Sequence, residues 1–138
     1  MALSTAVYNL IRSDATLLSV YGTDIYPSII PKKVTLPAIT YHFTDIIPSE
    51  TKDFTTKWDA ANCVITIYSY NYTDNEAHAR LVRAELDRYS GTIGGETIKT
   101  INYNGESDDV AESNSVGATG EGTAIYMRVM NFKITYRL

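Results

Sequence analysis

The chain opens with two short runs in which apolar residues recur every three or four positions, the spacing of one helix face. The first run predicts an amphipathic helix over residues 5–12, capped by Ser4, with the apolar positions Val7, Leu10 and Ile11. The second predicts a short helix that begins after Ser13 or Asp14 and ends at Gly22, because glycine readily adopts the left-handed backbone of a helix end. We therefore expect two helical segments before residue 23.

Further along the chain the spacing changes to the period of two that marks strands with one buried face. Ile25-Tyr26-Pro27 begins an extended stretch, and Pro31 and Pro37 exclude a helix from residues 27–37. Three strands follow, near residues 39–44, 61–70 and 125–136. Their predicted buried residues are Ile39, Tyr41 and Phe43, then Cys63, Ile65 and Ile67, and finally Met130, Phe132, Ile134 and Tyr136.

The segment Thr73-Asp74-Asn75-Glu76 has the spacing of a capping box, in which a hydroxyl residue and a glutamate satisfy each other's backbone N–H groups. It predicts a helix over residues 74–89 that ends at Gly91, with a buried stripe of Ala79, Val82, Leu86 and Tyr89. Gly94-Gly95 then predicts a tight hairpin turn. The strand after this turn continues through Ile98, Ile101 and Tyr103.

Two polar segments are predicted to be protruding or flexible loops. Residues 48–59 have mixed charge, yet they contain Phe54 and the only tryptophan, Trp58. Two interpretations stay open for Trp58, since it either begins the next strand or contacts a partner. Residues 104–122 are rich in Gly, Ser, Asn, Asp and Glu, and we interpret them as a functional arm or as a segment that orders on assembly.

The predicted order of elements is helix, helix, strand, strand, helix, hairpin, long loop and strand. Strands outnumber helices, and most connections between them are too short for crossover helices. We therefore predict an α+β fold with a mainly antiparallel β-sheet, helices packed on one face, and a single domain over residues 1–138. The length and a hydrophobic content of 44% suit one globular domain.

Composition and charge narrow the class of function. No apolar run approaches the roughly 20 residues of a membrane helix, and residues 1–5 lack the basic start of a secretory signal, so we expect synthesis in a cytosol and no membrane partner. The net charge of −4 disfavours tight binding to nucleic acid, which normally uses a basic surface. The single cysteine, Cys63, excludes an intramolecular disulfide, and its apolar strand predicts a buried, inert thiol.

The sequence contains no recognisable catalytic or metal-binding motif. Neither His42 nor His78 has a second ligand at metal-binding spacing, and we predict a solvated strand position for His42 and a boundary position for His78. Residues 117–122 have the glycines of a phosphate-binding loop but no Lys-Ser/Thr pair after them. The nearby acidic residues lack the alternation of a calcium loop. We therefore predict a protein that is not an enzyme and that has no catalytic residues, metal or cofactor.

An ordered set of segments extends along nearly the whole chain. It comprises residues 2–11, the short second helix ending in Gly22, Ile25-Tyr26-Pro27, Leu36-Pro37-Ala38-Ile39-Thr40-Tyr41, Val64-Ile65-Thr66-Ile67, the helix with Glu76-Ala77, Val82 and Leu86, Gly91-Thr92-Ile93-Gly94-Gly95, and a long C-terminal strand. With this set the chain resembles the tail-terminator or tail-completion (head-to-tail joining) proteins of siphophages and related gene-transfer particles. Segment 104–122 departs from that family by being longer and richer in Gly and Ser.

The resemblance implies a structural bacteriophage protein that forms a hexameric ring on the last ring of the tail tube. Such a ring stops polymerisation of the tube and provides the joining surface for the head. The implied partners are other copies of the chain, the tail tube protein and the head–tail connector or neck proteins, while DNA passes through the channel only transiently. We expect the protein in the tail or neck of the virion, after assembly in the bacterial host cytoplasm.

Two candidate surfaces follow from this interpretation. A ring or partner interface is predicted at Phe54, Thr55, Lys57 and Trp58. An acidic group at the channel or ring rim is predicted at Asp108, Asp109, Glu112 and Glu121, because an acidic lumen would not hold passing phosphates. Another neck or minor tail adaptor is the alternative within the same biology, and a small phage enzyme such as a nuclease is the alternative from another class.

Overall fold

The computed structural model describes residues 2–31, 36–48, 58–112 and 124–137. Within these ranges the chain forms the helices α1 (Ala2–Arg12), α2 (Ala15–Tyr21) and α3 (Tyr72–Leu86). The strands are β1 (Ile25–Pro27), β2 (Ala38–Pro48), β3 (Trp58–Ser69), β4 (Gly91–Ile93), β5 (Glu96–Glu112) and β6 (Ala124–Arg137). They form one sheet in the order β1-β2-β3-β6-β5-β4.

The sheet is antiparallel at every pairing except that of β1 with β2. Alternate residues of β3 and β6 are buried on one face, and their registers place Cys63 opposite Phe132. Helix α3 packs on that face against β3, β5 and β6, and α1 and α2 pack against α3. The predicted α+β fold, with a mainly antiparallel sheet, is confirmed.

The second helix begins and ends where the sequence predicts, whereas Ser4, the predicted cap of the first helix, lies inside α1. The Asp14 side chain accepts a hydrogen bond from the backbone N–H of Leu17 at 3.0 Å, which caps α2. Gly22 adopts a φ of 54° and donates its N–H to the carbonyl of Leu18 at 2.9 Å. Helix α1 is longer than predicted, since it begins at Ala2.

The predicted capping box of α3 is wrong. Asn71 is the N-cap, and its side chain accepts a hydrogen bond from the backbone N–H of Asp74 at 3.2 Å. The helix therefore begins at Tyr72, and Thr73 lies inside its first turn. An asparagine caps a helix at least as well as a threonine, and here the residue two positions earlier takes the role.

The predicted end of α3 at Gly91 is also wrong. The helix ends at Leu86, Arg88 takes a φ of 65°, and its N–H donates to the carbonyl of Ile101 on β5 at 2.7 Å. This bond turns the chain into β4, so Tyr89 leaves the helix, although its side chain still packs against the core. The other predicted stripe residues, Ala79, Val82 and Leu86, are buried as expected.

The Gly94-Gly95 turn between β4 and β5 is confirmed, with φ values of 60° and 82°. Both values lie in the left-handed region, which glycine adopts without strain. Gly94 also lies against α1, because a Cβ added to it would be 2.8 Å from the backbone nitrogen of Ala6.

Both predicted loops are partly strand. Strand β5 continues through Glu112 and β6 begins at Ala124, so residues 104–112 are not a loop and residues 113–122 lie outside the described ranges. The loop prediction rested on local polarity, whereas β6 provides the pairing partner for this stretch. Strand β2 likewise reaches Pro48 and β3 begins at Trp58, while residues 49–57 lie outside the described ranges.

Candidate assembly surfaces

The described residues form neither a metal-binding cluster nor a membrane-spanning helix. No group of three or more His, Cys, Asp or Glu side chains there lies close enough to hold a metal ion. None of the described helices is both long and apolar enough to cross a membrane.

Cys63 is fully buried in β3, as predicted. Burial raises the pKa of its thiol to about 12, because the apolar surroundings disfavour the charged thiolate. The reactive form of the side chain is thus suppressed at neutral pH.

The two histidines lie on separate elements, His42 on β2 and His78 on α3. The hydroxyl of Tyr21 on α2 is hydrogen-bonded to Nδ1 of His78 on α3 at 2.7 Å, and the two rings make an edge contact. Burial, and next the negative charge of Asp74, raise the pKa of Tyr21. His78 is half-buried, which confirms its boundary position, and His42 is half-buried on β2 rather than fully solvated.

An open groove of about 400 Å³ lies between α2, residues 36–37 and the start of α3. Its lining mixes apolar Val20, Leu36 and Pro37 with the polar side chains of Asn71, Asp74 and His78. Two of these polar groups already serve the fold, since Asn71 caps α3 and His78 binds Tyr21. A third polar residue of the lining, Ser69, has its hydroxyl hydrogen-bonded to the side chain of Asn75 at 2.7 Å.

Arg128 on β6 connects β5 to the start of α3. Its guanidinium forms ion pairs with Glu106 and Asp108, and the contact with Asp108 through Nε is not aligned as a hydrogen bond. The guanidinium lies over the ring of Tyr72, 5.7 Å from the centroid, and the Tyr72 hydroxyl donates to Asp108 at 2.6 Å. The side chain of Arg128 is only 12% exposed, so these contacts are partly shielded from solvent.

This network continues toward the end of α3. The hydroxyl of Tyr103 donates to Glu106 at 2.6 Å, and the guanidinium of Arg83 lies 4.0 Å from the centroid of the Tyr103 ring. Burial alone would raise the pKa of Glu106. The hydrogen bonds that Glu106 accepts from Tyr103 and Arg128, together with the positive charges of Arg128 and Arg83, outweigh burial and lower that pKa. Glu106 is thus a paired carboxylate with a structural role.

The predicted acidic group is not brought together among the described residues. Asp108 and Asp109 point to opposite faces of β5, since successive strand residues alternate. Asp108 pairs with Arg128, and Asp109 accepts the backbone N–H of Val110 at 2.8 Å. Glu112 ends β5 with a side chain that lies outside the described parts of the chain, as does Glu121. A place at the channel or rim stays a prediction for all four.

Of the predicted interface residues, only Trp58 lies within the described ranges; Phe54, Thr55 and Lys57 do not. Trp58 begins β3, which confirms the interpretation that it starts the next strand. It lies opposite Arg137, and Nζ of Lys99 is 5.5 Å from the centroid of its ring. Contact of Trp58 with a partner stays a prediction.

The outer edge of β2 is only partly covered by the described residues. Strand β1 pairs with β2 up to Tyr41, whose carbonyl accepts the N–H of Ser28 at 2.8 Å. No strand in the described ranges pairs with the outer edge of residues 42–48. This stretch contains Ile46 and Ile47, which are 51% and 58% exposed.

The outer edge of β5 is covered at its start and open afterwards. Strand β4 pairs with residues 96–98, and the turn after α3 covers the next stretch, because Arg88 donates to the carbonyl of Ile101 and Asp87 accepts the N–H of Tyr103. Across the described residues no strand pairs with the outer edge of 104–112. Unpaired edges of this kind are templates for another chain.

Asn75 is a buried polar residue whose role the sequence did not predict. It is 1% exposed, accepts the hydroxyl of Ser69 at 2.7 Å, and donates from Nδ2 to the carbonyls of Tyr126 at 2.8 Å and Ile67 at 3.4 Å. It therefore joins α3 to β3 and β6. The sequence does contain one indication that Asn75 is buried, because it lies one helical turn before Ala79 on the buried stripe of α3.

The family model of tail completion protein gp17 matches residues 5–129. The chain belongs to this family, and the predicted resemblance to phage tail-completion proteins is confirmed.

A solved structure shares the fold. The chain is similar to a chain in a structure described as the virion of a native gene transfer agent particle, with a TM-score of 0.73 and 16% identity. The match covers 99% of this chain and 96% of that one. No curated protein sequence matches the chain significantly. The protein is a bacteriophage-type structural component associated with the virion tail.

Proposed function

We propose that this protein is a tail terminator, which forms a hexameric ring on the tail tube, stops its polymerisation and provides the surface that joins the tail to the head. The observation that supports this most is the extent of the match to known proteins. The tail-completion family spans residues 5–129, and the likeness to a chain of a virion extends over nearly the whole of both chains.

The two uncovered edges support a ring. They lie at opposite edges of the sheet, on β2 and on β5, so a contact between them joins two different surfaces of neighbouring copies. A heterologous contact of this kind, repeated by rotation, closes into a ring. A filament results if the rotation does not close, and docking on a six-fold tube would favour closure.

The size of the domain also suits a ring around DNA. A chain of this length has a radius of gyration of roughly 14 Å, and hence a diameter of about 36 Å. Six equal spheres in a circle enclose a hole about one sphere wide, which leaves room for a duplex. Binding of DNA would be transient, because an acidic chain provides few cations for the phosphates.

The partners in this proposal are the tail tube protein on one face of the ring and the connector or neck proteins on the other. The segment that contains Phe54, Thr55, Lys57 and Trp58 provides a ring or partner interface. Asp109, Glu112 and Glu121 contribute to the channel or rim, and so does Asp108 within its ion pair with Arg128. Assembly takes place in the host cytoplasm, before the tail joins the head.

Deletion of the gene tests the terminator role directly. Tails of uncontrolled length are the expected result, because nothing would then stop polymerisation of the tube. Tailless heads together with tails of normal length would instead identify an adaptor between head and tail. Native mass measurement of the purified protein, alone and with tail tube subunits, should show a hexamer in at least one of the two samples.

A double substitution tests the aromatic interface. Phe54→Ala with Trp58→Ala should weaken ring assembly while the monomer still folds, since Trp58 begins a strand without lying in the core. Tyr70→Ala removes an aromatic side chain of 54% exposure elsewhere on the surface and serves as the matched control. Normal rings and tails from the double variant would defeat this assignment.

A further inference from the structure

We infer that the uncovered edge of β5 in one copy pairs, antiparallel, with the uncovered edge of β2 in the next copy. The sheets of the ring would then form one continuous, closed sheet with the helices on a single side. This inference rests on the proposed ring and adds which strands form the contact and how they are inclined.

The directions of the strands allow this pairing. Neighbouring strands alternate in direction along the series β2, β3, β6 and β5, because all three pairings are antiparallel. Strand β5 therefore runs opposite to β2. In a ring, the β2 of the next copy keeps the direction of the first, so it lies antiparallel to the β5 that it meets.

The backbone of β5 directs hydrogen-bonding groups outward at this edge, away from β6. The N–H of Val110 bonds to the side chain of its neighbour Asp109 at 2.8 Å, so it is not engaged with β6. The N–H of Tyr103 also points away from β6, since it donates to the side chain of Asp87. Tyr103 lies just before the register shift of β5 between Tyr103 and Gly105. Asp109 thus satisfies an edge donor in the isolated chain, and its charge discourages indiscriminate pairing.

Exposed apolar side chains line both edges on the same side of the sheet. Ile46 lies opposite the buried Ala61, on the side that the helices cover. Val110 is 50% exposed and lies on the same side as Asp108, two residues earlier. Joining the edges would place these side chains along one seam, where cross-strand contacts bury part of their surface.

The offset between the two edges determines the inclination of the strands. Residues that oppose each other across the seam must lie on the same side of the sheet, so Ile46 can oppose Asp108 but not Ser107. Ile46 is level with Ile134 of β6 through Ala61, and Asp108 is level with Arg128. These two β6 positions are six residues apart, or about 20 Å along the strand. The four strands that each copy contributes span about 19 Å across the sheet. The ratio of the two lengths gives a tilt of roughly 45° for any number of copies, at the upper end of the usual 35–45° of closed sheets.

Val110→Pro tests the contact, because it removes one outward N–H without removing a bond to β6. Val110→Ala removes the apolar side chain beyond Cβ but keeps that N–H, and is the matched control. We expect Val110→Pro to reduce the hexamer fraction at least tenfold in native mass measurements with tail tube subunits, and Val110→Ala to reduce it much less. Hexamers of Val110→Pro at the wild-type level would overturn the inference.

Cross-linking provides a second measurement that does not depend on how proline is tolerated. With Ile46→Cys and Val110→Cys in one chain, a short thiol-reactive cross-linker should produce covalent multimers up to the hexamer. The native Cys63 is fully buried and does not interfere. Replacing Val110→Cys by Thr97→Cys, on the part of β5 that β4 covers, should abolish the multimers.

The outcomes separate the inference from the proposed function. Wild-type hexamers without cross-links between residues 46 and 110 would leave the ring intact and exclude this contact. Failure of the wild-type chain to form any ring, alone or on tail tubes, would instead overturn the proposed function.

Discussion

Replacement of Asn75 by aspartate should strongly destabilise the fold although it changes one side-chain atom. The amide nitrogen of Asn75 donates to the carbonyls of Tyr126 and Ile67, and the residue is 1% exposed. An ionised carboxylate would place negative charge 2.8 Å from a carbonyl oxygen in a buried site. The variant should therefore bind a proton in the folded state, with a raised carboxyl pKa.

The magnitude has two parts. Loss of the amide donor leaves a buried carbonyl without its partner, which costs about 1–3 kcal/mol. Keeping the new carboxyl protonated at neutral pH costs about 1.4 kcal/mol for each unit by which the pH exceeds its unfolded pKa of about 3.9, until the site ionises. At pH 7 the second part is about 4 kcal/mol for a site that stays protonated, so a total of about 5–7 kcal/mol is expected, which is comparable to the roughly 5–15 kcal/mol that stabilises a typical domain.

Urea denaturation of the wild type and of Asn75→Asp between pH 4 and 8 measures this cost. The raised pKa means that the folded variant binds more protons than its unfolded chain, so its deficit relative to wild type should shrink as the pH falls toward about 4. Asn102→Asp, the same change at an exposed position of β5, should cost less than about 1 kcal/mol. A deficit below about 1 kcal/mol for Asn75→Asp, or one that is constant with pH, would refute this reasoning.

Three further predictions follow from local geometry. Arg128→Met should cost about 1–2 kcal/mol in urea denaturation at pH 7, because it leaves Glu106 without its cation in a partly exposed site. Because the pKa of Glu106 is lowered in the folded state, its ion pair stabilises the fold above the ordinary carboxyl pKa, and the stability cost of Arg128→Met should vanish as acid protonates Glu106. Equal stability costs at pH 7 and pH 3 would contradict the assignment of this ion pair. Cys63 should resist a thiol reagent at pH 8 and react fully in denaturant, whereas rapid native labelling would show that the site opens. Gly94→Ala should cost about 1–3 kcal/mol, and more than Gly105→Ala, which also has a positive φ but no atom within 4 Å of the added Cβ; equal losses would exclude a role for the contact with α1.

The sequence predicts those parts of the fold in which periodicity reflects burial. The stripe of Ala79, Val82 and Leu86 and the alternation of β6 are confirmed, because a repeated spacing leaves only one face to cover the core. The Gly94-Gly95 turn is confirmed because its backbone strongly favours glycine. Each of these features is determined by residues close together in the sequence, so it can be predicted without knowledge of the tertiary structure.

The remaining features depend on residues far apart in the chain. Residues 104–112 are polar enough to resemble a loop, and only pairing with β6 makes them a strand. The network joins Arg128 of β6 to Tyr72 of α3 and to Glu106 and Asp108 of β5, so no spacing along the sequence indicates it. Asn71 and Thr73 are both good capping residues, and Asn71, the one that caps α3, is also held by a hydrogen bond from its N–H to the hydroxyl of Ser69 at 3.1 Å.

The turn that ends α3 has a consequence for the fidelity of assembly. Asp87 and Arg88 engage the outer backbone of β5 at Tyr103 and Ile101, and so limit how far an incoming strand could slide along β5. A helix that ended one turn later would leave those positions bare and would permit several alternative alignments. In the proposed ring, the length of α3 would thereby restrict neighbouring copies to a narrow set of strand registers and favour a uniform ring over an irregular aggregate.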